Sequence, residues 1–244
     1  MKTVSIEPLE KEPWVKLPDG KDLKSWTRED EIVYNQINRQ TEKTLFYRRT
    51  FDYLSCTDIV GDYYEFGCHR CRTFRMALSE ARLHNLTNMR FYAFDSFQGL
   101  PSAEKSNAME IWQQGALNTS EKEFMKMLND HGLYLDKIET IKGFYQESLT
   151  DSLQQELLKK SSKIALVTID CDLYESAVPV FTFIENILQE GAVVYIDDFF
   201  AGYKGSPLKG VSQAFFEFES KSQWGFYRHL DIGWWGRSFI VYKE

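Results

Sequence analysis

The sequence predicts an α/β protein built on a doubly wound, mostly parallel sheet with late antiparallel strands. Three observations carry this. Lys163–Ile169 (KIALVTI) and Gly191–Ile196 (GAVVYI) are short apolar runs with no polar face, as expected of strands covered on both sides. From about residue 62 onward such runs alternate with segments of helical period, and the right-handed crossover rule turns that alternation into one sheet with helices on both faces. Each run also closes on a glycine or a carboxylate, at the sheet edge where ligands of such folds bind.

Taken in order, residues 1–28 form an irregular arm, with Pro8, Pro13, Pro18 and the turn signal Pro18-Asp19-Gly20. It suits a lid, a subunit contact or a simple tail. Residues 29–60 are a helical segment, one helix or two. Its apolar positions Ile32, Ile37, Leu45, Phe46, Phe51 and Leu54 are interrupted by polar residues near Asn35–Thr41. Residues 61–244 make the main domain. It opens with a strand over Tyr63–Phe66, a helix over Thr73–Leu86 and a strand over Met89–Phe94. Ser102–Asn118 lacks periodicity and is expected to be a substrate loop. Ser120, with Glu123 three residues on, has the spacing of a capping box, and that helix ends near Gly132. A strand over Ile138–Ile141, a helix over Ser148–Lys160, the strand Lys163–Ile169 and a helix over Ser176–Leu188 follow. Strand Ala192–Ile196, a glycine-rich loop at Gly202–Gly210 and a helix over Val211–Glu219 come next. Gly225–Leu230 and Arg237–Tyr242 close the chain as two antiparallel strands.

Composition narrows the function. With 36 acidic and 29 basic residues the net charge is −7, which argues against nucleic acid as the main partner. No apolar run approaches the roughly 20 residues needed to cross a membrane. The acids in the first residues do not suit an export signal, so a cytoplasmic location is expected. Cys56, Cys68, Cys71 and Cys171 are accordingly read as reduced, and the CxxC spacing of Cys68 and Cys71 as local packing rather than zinc or redox chemistry.

Two constellations carry chemistry. Glu65-Phe66-Gly67 brings a strand to a glycine where a ligand can approach the backbone. The turn lacks G-x-G-x-x-G and holds the bulky run Cys68-His69-Arg70-Cys71-Arg72, so a cofactor without phosphates fits better than a dinucleotide. Asp95, 28 residues after Gly67, suits a ribose diol, and Glu65 suits a positive amino group. Together they point to S-adenosylmethionine. The plainer readings are a turn cap for Asp95 and an ion pair with Arg70 or Arg72 for Glu65. The second constellation is Asp170, Asp172, Asp197 and Asp198, at the ends of two strands expected to be neighbours. Oxygen ligands of this kind suit Mg²⁺ or another divalent cation, with Asp172 placed to take a proton. Helix capping, or neutralisation by Lys142, Lys204 or Lys209, is the alternative. Trp112, Tyr174, Tyr203, Trp234 and Trp235 are candidates for stacking on a sugar, and equally for packing.

Five stretches now stand together: Gly61–Gly67 (GDYYEFG), Phe94–Pro101 (FDSFQGLP), Lys142–Tyr145 (KGFY), Ile169–Ser176 (IDCDLYES) and Ile196–Phe199 (IDDF). In content and order the chain resembles the macrocin O-methyltransferase family over roughly residues 30–242. The family is a branch of the Rossmann-like, class I S-adenosylmethionine-dependent methyltransferases. The resemblance implies cofactor binding by Glu65, Gly67, Thr73, Asp95, Ser96, Gly143, Phe144 and Asp170, metal binding by Asp170, Asp197 and Asp198, and Asp172 as the catalytic base. It implies a divalent-metal-dependent O-methyltransferase acting on a small-molecule hydroxyl, on a sugar of a natural product or glycan, and a homo-oligomer. A metal-dependent hydrolase on the same fold and a non-catalytic binding protein are the competing readings. One departure stands out: where members carry small residues, often two glycines, after the arginine of the first motif, this chain has Cys71-Arg72.

Overall fold

The structure, a computed structural model, describes residues 20–102 and 112–243. The expected arm up to residue 19, and residues 103–111 of the expected substrate loop, lie outside the described residues. The chain divides into two compact units, one ending at Leu45 and one running from Phe46.

The first unit holds α1 (Gly20–Leu23) and the larger, N-terminal part of α2 (Arg28–Cys56). Thr27 and Asp30 start α2 by exchanging bonds, the Thr27 N–H donating to Asp30 Oδ2 at 2.7 Å. The interruption expected near Asn35–Thr41 is absent, and α2 is one continuous helix. Gln36, Arg39 and Gln40 there are good helix formers, none of the stretch is glycine or proline, and Thr41 folds its hydroxyl back onto the Ile37 carbonyl at 3.0 Å. Loss of apolar periodicity therefore marked a polar surface rather than a break.

The second unit is the sheet and its two helical layers. Its strands are β1 (Asp62–Phe66), β2 (Phe91–Asp95), β3 (Ile138–Lys142), β4 (Ile164–Ile169), β5 (Val193–Ile196), β6 (Trp224–Ile232) and β7 (Gly236–Lys243). The order across the sheet is β3-β2-β1-β4-β5-β7-β6. The first five are parallel, while β7 runs antiparallel to both β5 and β6, as the late strands were expected to. The chain reverses its winding between β1 and β4, which makes their carboxyl ends the topological switch point.

Strand alternation sends Tyr64, Phe66, Tyr92, Phe94, Val167, Ile169, Val194 and Ile196 to one apolar layer. There they meet α6 (Asp151–Lys159), α7 (Tyr174–Ile184) and α8 (Gly210–Glu219) through Leu157, Val180, Phe181 and Phe215. Tyr63, Phe91, Ala93, Leu166, Val193 and Tyr195 face the other layer, with the last turns of α2, α3 (Arg72–Leu83) and α4 (Glu121–His131). So the end of α2, from Phe46, belongs to the core of the sheet unit, although its sequence reads as part of a separate helical segment.

Local chemistry sets the helix limits. The capping box at Ser120 and Glu123 is present, and α4 stops at Gly132 in a left-handed cap. The expected helix over Ser148–Lys160 is instead a short turn, α5 (Tyr145–Ser148), then α6 capped by Thr150, whose hydroxyl accepts from the Leu153 N–H. Helix α7 begins two residues earlier than expected and runs through Pro179. Proline cannot donate to the carbonyl four residues back, that of Glu175. The Gln146 side chain supplies the bond instead, at 2.8 Å.

Candidate active site

Four loops leave the sheet at one level, because the ladder bonds continue one residue past each strand. Gly67 N–H donates to Phe94 O at 3.0 Å, Gly143 N–H to Asp95 O at 3.0 Å, Asp170 N–H to Phe66 O at 2.8 Å and Asp197 N–H to Ile169 O at 2.9 Å. The sequence-expected residues Gly67, Asp95, Gly143, Asp170 and Asp197 thus stand in one row along the edge. Gly67 is there because nothing larger fits: its φ is +90°, and a Cβ would sit 1.8 Å from the Asp170 carbonyl oxygen.

Asp95 ties the β1 loop to its own turn after β2. Its Oδ2 accepts from Cys68 N–H at 2.7 Å and its Oδ1 from Phe97 N–H at 2.6 Å. Burial pushes its carboxyl up, and the two backbone bonds oppose that. The turn-capping role weighed from sequence is therefore real. Ser96 builds the same turn, donating to Gly99 O at 2.8 Å and accepting from Gln98 N–H at 3.0 Å. Phe97 packs beneath it on Phe124, with ring centroids 5.5 Å apart. Phe144 is half-buried and precedes α5 as its N-cap.

Glu65 lies in β1, one residue before its end. It is fully buried, accepts from Thr73 Oγ1 at 2.8 Å and accepts from the Tyr63 hydroxyl. Tyr63 in turn meets Tyr47 at 2.9 Å, and Tyr47 meets Thr168 at 2.7 Å. Burial, then the Glu65 charge, pushes the Tyr63 phenol far up, so it stays a donor. Tyr63 lies two residues before Glu65 on one strand face, so alternation alone offered that pair; Tyr47, from a distant helix, gave no sequence signal.

The motif turn after Gly67 is strained. Arg70 (φ 57°) and Cys71 (φ 55°) are both left-handed. His69 braces the turn through Thr119, 2.9 Å from its Nδ1, and Thr119 Oγ1 also accepts from Arg70 N–H at 3.0 Å. Burial, then Arg70 and Arg72, lowers the His69 pKa. Cys68 and Cys71 are buried and free, and burial pushes both thiols up, away from redox reactivity.

The acids divide differently from expectation. Oxygens of Asp170, Asp172 and Asp198 lie within 4.8 Å of one another, all three residues half-buried. Asp172 reaches the group from a tight turn: its φ is 62°, and Leu173 N–H closes onto Cys171 O at 2.6 Å. Asp197, expected as a ligand, stays on the face of Tyr195. Its Oδ1 accepts from the Tyr195 hydroxyl and from Trp235 Nε1, the latter at 3.1 Å. Lys142, weighed as a counter-charge, pairs with Glu121 at 3.4 Å. Three carboxylate oxygens so close repel unless a cation or a proton sits among them, and the all-oxygen donor set fits Mg²⁺.

The solved O-methyltransferase NovP superposes with a TM-score of 0.67 at 18% identity, over 83% of this chain and 80% of its own. CalS11, a calicheamicin methyltransferase, gives 0.65 at 18% identity, over 95% of this chain and 89% of its own. The fold is that of a class I, Rossmann-like S-adenosylmethionine-dependent methyltransferase. The family model described as macrocin O-methyltransferase (TylF) matches residues 37–223, and the chain belongs to that family. A curated relative from Streptomyces olivaceus, the 8-demethyl-8-(2,3-dimethoxy-alpha-L-rhamnosyl)-tetracenomycin-C 4'-O-methyltransferase, is 24% identical over 58% of this chain. The chain matches about half, 54%, of that relative's length. Among the described residues no helix is long and apolar enough to cross a membrane.

Proposed function

We propose that the protein transfers a methyl group from S-adenosylmethionine to a sugar hydroxyl of a glycosylated small molecule, with a divalent cation held by Asp170, Asp172 and Asp198. The observation that carries this is the convergence of those three acids beside Gly67 and Asp95. The family and the rhamnosyl acceptor in the Streptomyces olivaceus relative's name support the acceptor class.

The cofactor supplies an electrophilic methyl group. The cation supplies charge neutralisation, and a lowered pKa for a hydroxyl it binds. The rest falls to the chain. Asp95 receives the ribose hydroxyls, with its carboxylate fixed by Cys68 and Phe97. Gly67 keeps the approach to the backbone open, and Glu65 and Thr73 offer negative charge and a hydroxyl toward the methionine end. Ser96 and Gly143 hold the flanking turns, and Phe144 lies beside them. Asp172 takes the proton of the acceptor hydroxyl as that oxygen bonds to the methyl carbon and the carbon–sulfur bond breaks, leaving a thioether. A carboxylate has two oxygens, so one can ligate while the other takes the proton. Asp197 buttresses the site from its bonds to Tyr195 and Trp235.

Methyl-transfer assays on a panel of glycosides, with and without EDTA, test the reading. Transfer abolished by EDTA and restored by Mg²⁺ is the expected result; undiminished transfer without metal sinks the cation's role. Calorimetry with S-adenosylhomocysteine separates the hydrolase reading, which requires no binding.

A further inference from the structure

Beyond the acids, the loop after β5 and the β6–β7 turn enclose an open cleft of about 820 Å³, lined among others by Phe200, Tyr203, Lys204, Asp231 and Trp234. We propose that this cleft is the acceptor subsite, and that Trp234 and Tyr203 grip the apolar C–H face of a pyranoside ring; this rests on the methyltransferase reading above.

The cleft is bordered by the same loop after β5 that carries Asp198. Phe200 follows Asp198 by two residues, Ala201 N–H donates to Asp198 O at 3.2 Å, and Phe200 N–H donates to Trp235 O at 2.8 Å. Trp235 then reaches Asp197. One hairpin turn thus supports the acids with one tryptophan and borders the cleft with the next.

That turn is built to present its two indoles oppositely. Gly233 has φ +54°, and a Cβ there would strike the Trp235 ring at 2.1 Å, so the backbone passes directly over that ring. Trp235 is 5% exposed, whereas Trp234 is 62% exposed. A large aromatic surface left in water is a cost that a ligand recovers on binding. Opposite, residues Gly202–Gly205 are all left-handed, two of them non-glycine, Tyr203 and Lys204. Strain of this kind gathers at ligand clamps. The Tyr203 ring is braced by Gly210, where a Cβ would come within 2.8 Å of it.

Chemistry narrows the occupant. Asp231 is engaged by Arg237 at 2.7 Å and by Arg228, and Arg237 lies over the Phe200 ring at 4.6 Å. With Asp231 so engaged, the lining offers three aromatic side chains and the exposed Lys204 beside three glycines. Aromatic faces suit the C–H face of a sugar. The volume leaves room for the ring and part of the group attached to it. Of the five aromatics weighed from sequence, Trp112 and Trp235 are buried and Tyr174 donates to Glu217 at 2.7 Å, while Tyr203 and Trp234 line the cleft.

The test is saturation-transfer NMR on the full chain with millimolar methyl glycosides of L-rhamnose, D-glucose and D-xylose. At least one should receive saturation on its ring C–H protons. Trp234→Ala should abolish that transfer and Trp234→Phe should restore it in part, while Asp172→Asn keeps it. Transfer that persists in Trp234→Ala, or that is absent from wild type with all three glycosides, overturns the proposal. Calorimetry with S-adenosylhomocysteine on the same samples reads the cofactor site separately: intact binding with failed saturation transfer sinks only the cleft, and lost binding sinks the methyltransferase reading.

Discussion

Gly67 and Asp170, on the two strands that flank the switch point, touch backbone to backbone: a Cβ on Gly67 would lie 1.8 Å from the Asp170 carbonyl oxygen. The glycine therefore keeps the cofactor turn and the first acid in register. Gly67→Ala should destabilise the fold by about 3 kcal/mol, from overpacking and from its positive φ together. Denaturant melts measure the loss. Binding of S-adenosylhomocysteine should fall with it, even under conditions where the variant is folded.

Asp172 and Asp197 are chemically alike and should fail differently. Asp172→Asn removes the proposed base and a member of the acid cluster, and transfer should drop by ~10²-fold or more with S-adenosylhomocysteine binding retained. Asp197→Asn weakens bonds from two buried donors, Tyr195 and Trp235. It should cost about 1–3 kcal/mol in stability, with a smaller kinetic loss at permissive temperature. Equal kinetic losses with unchanged melting would refute this division of labour.

That division shows what could and could not be read in advance. Apolar runs over β4 and β5, the glycine after β1 and the acids at the edge are local facts of sequence, and the strand pairing made the acids neighbours. The sequence did not reveal which acids converge. Asp172 joins through a left-handed turn, and Asp197 accepts a bond from a tryptophan 38 residues later. Alternation from Tyr195 was a usable hint for Asp197. Nothing local announced that Tyr47 would complete the Glu65 hydroxyl chain, or that Gln146 would satisfy the carbonyl Pro179 leaves open. These are contacts between distant segments, set by packing rather than by period.

The strained turn after β1 makes a prediction of opposite sign. Arg70 is exposed and left-handed, and its N–H bond to Thr119 uses only backbone. Arg70→Gly should relieve the strain and stabilise the protein by about 1 kcal/mol, net of the greater freedom of glycine in the unfolded chain. A melting temperature that falls would mean that the guanidinium holds the turn in a way its backbone does not record.

Acid should destabilise the protein partly through its histidines. His69, His131 and His229 all have lowered pKa values, with burial the first cause in each; Arg70 and Arg72 add to it at His69, and Arg75 at His131. The unfolded chain then binds more protons than the folded one over the interval from 6.5, the ordinary value, down to the folded values. Stability is therefore fully present above that ordinary value and falls as the pH drops through the interval. Asp95 works the other way. Its carboxyl is raised in the fold, so its own contribution improves as the pH falls toward its unfolded value of 3.8. The histidine interval opens at 6.5, so its loss should be felt on the first steps of acidification from neutral pH. Denaturant melts stepped downward from neutral pH should show it, and His69→Asn, which keeps a hydrogen-bonding group facing Thr119, should make the slope shallower. A slope unchanged by that substitution would rule out His69 as one of its sources.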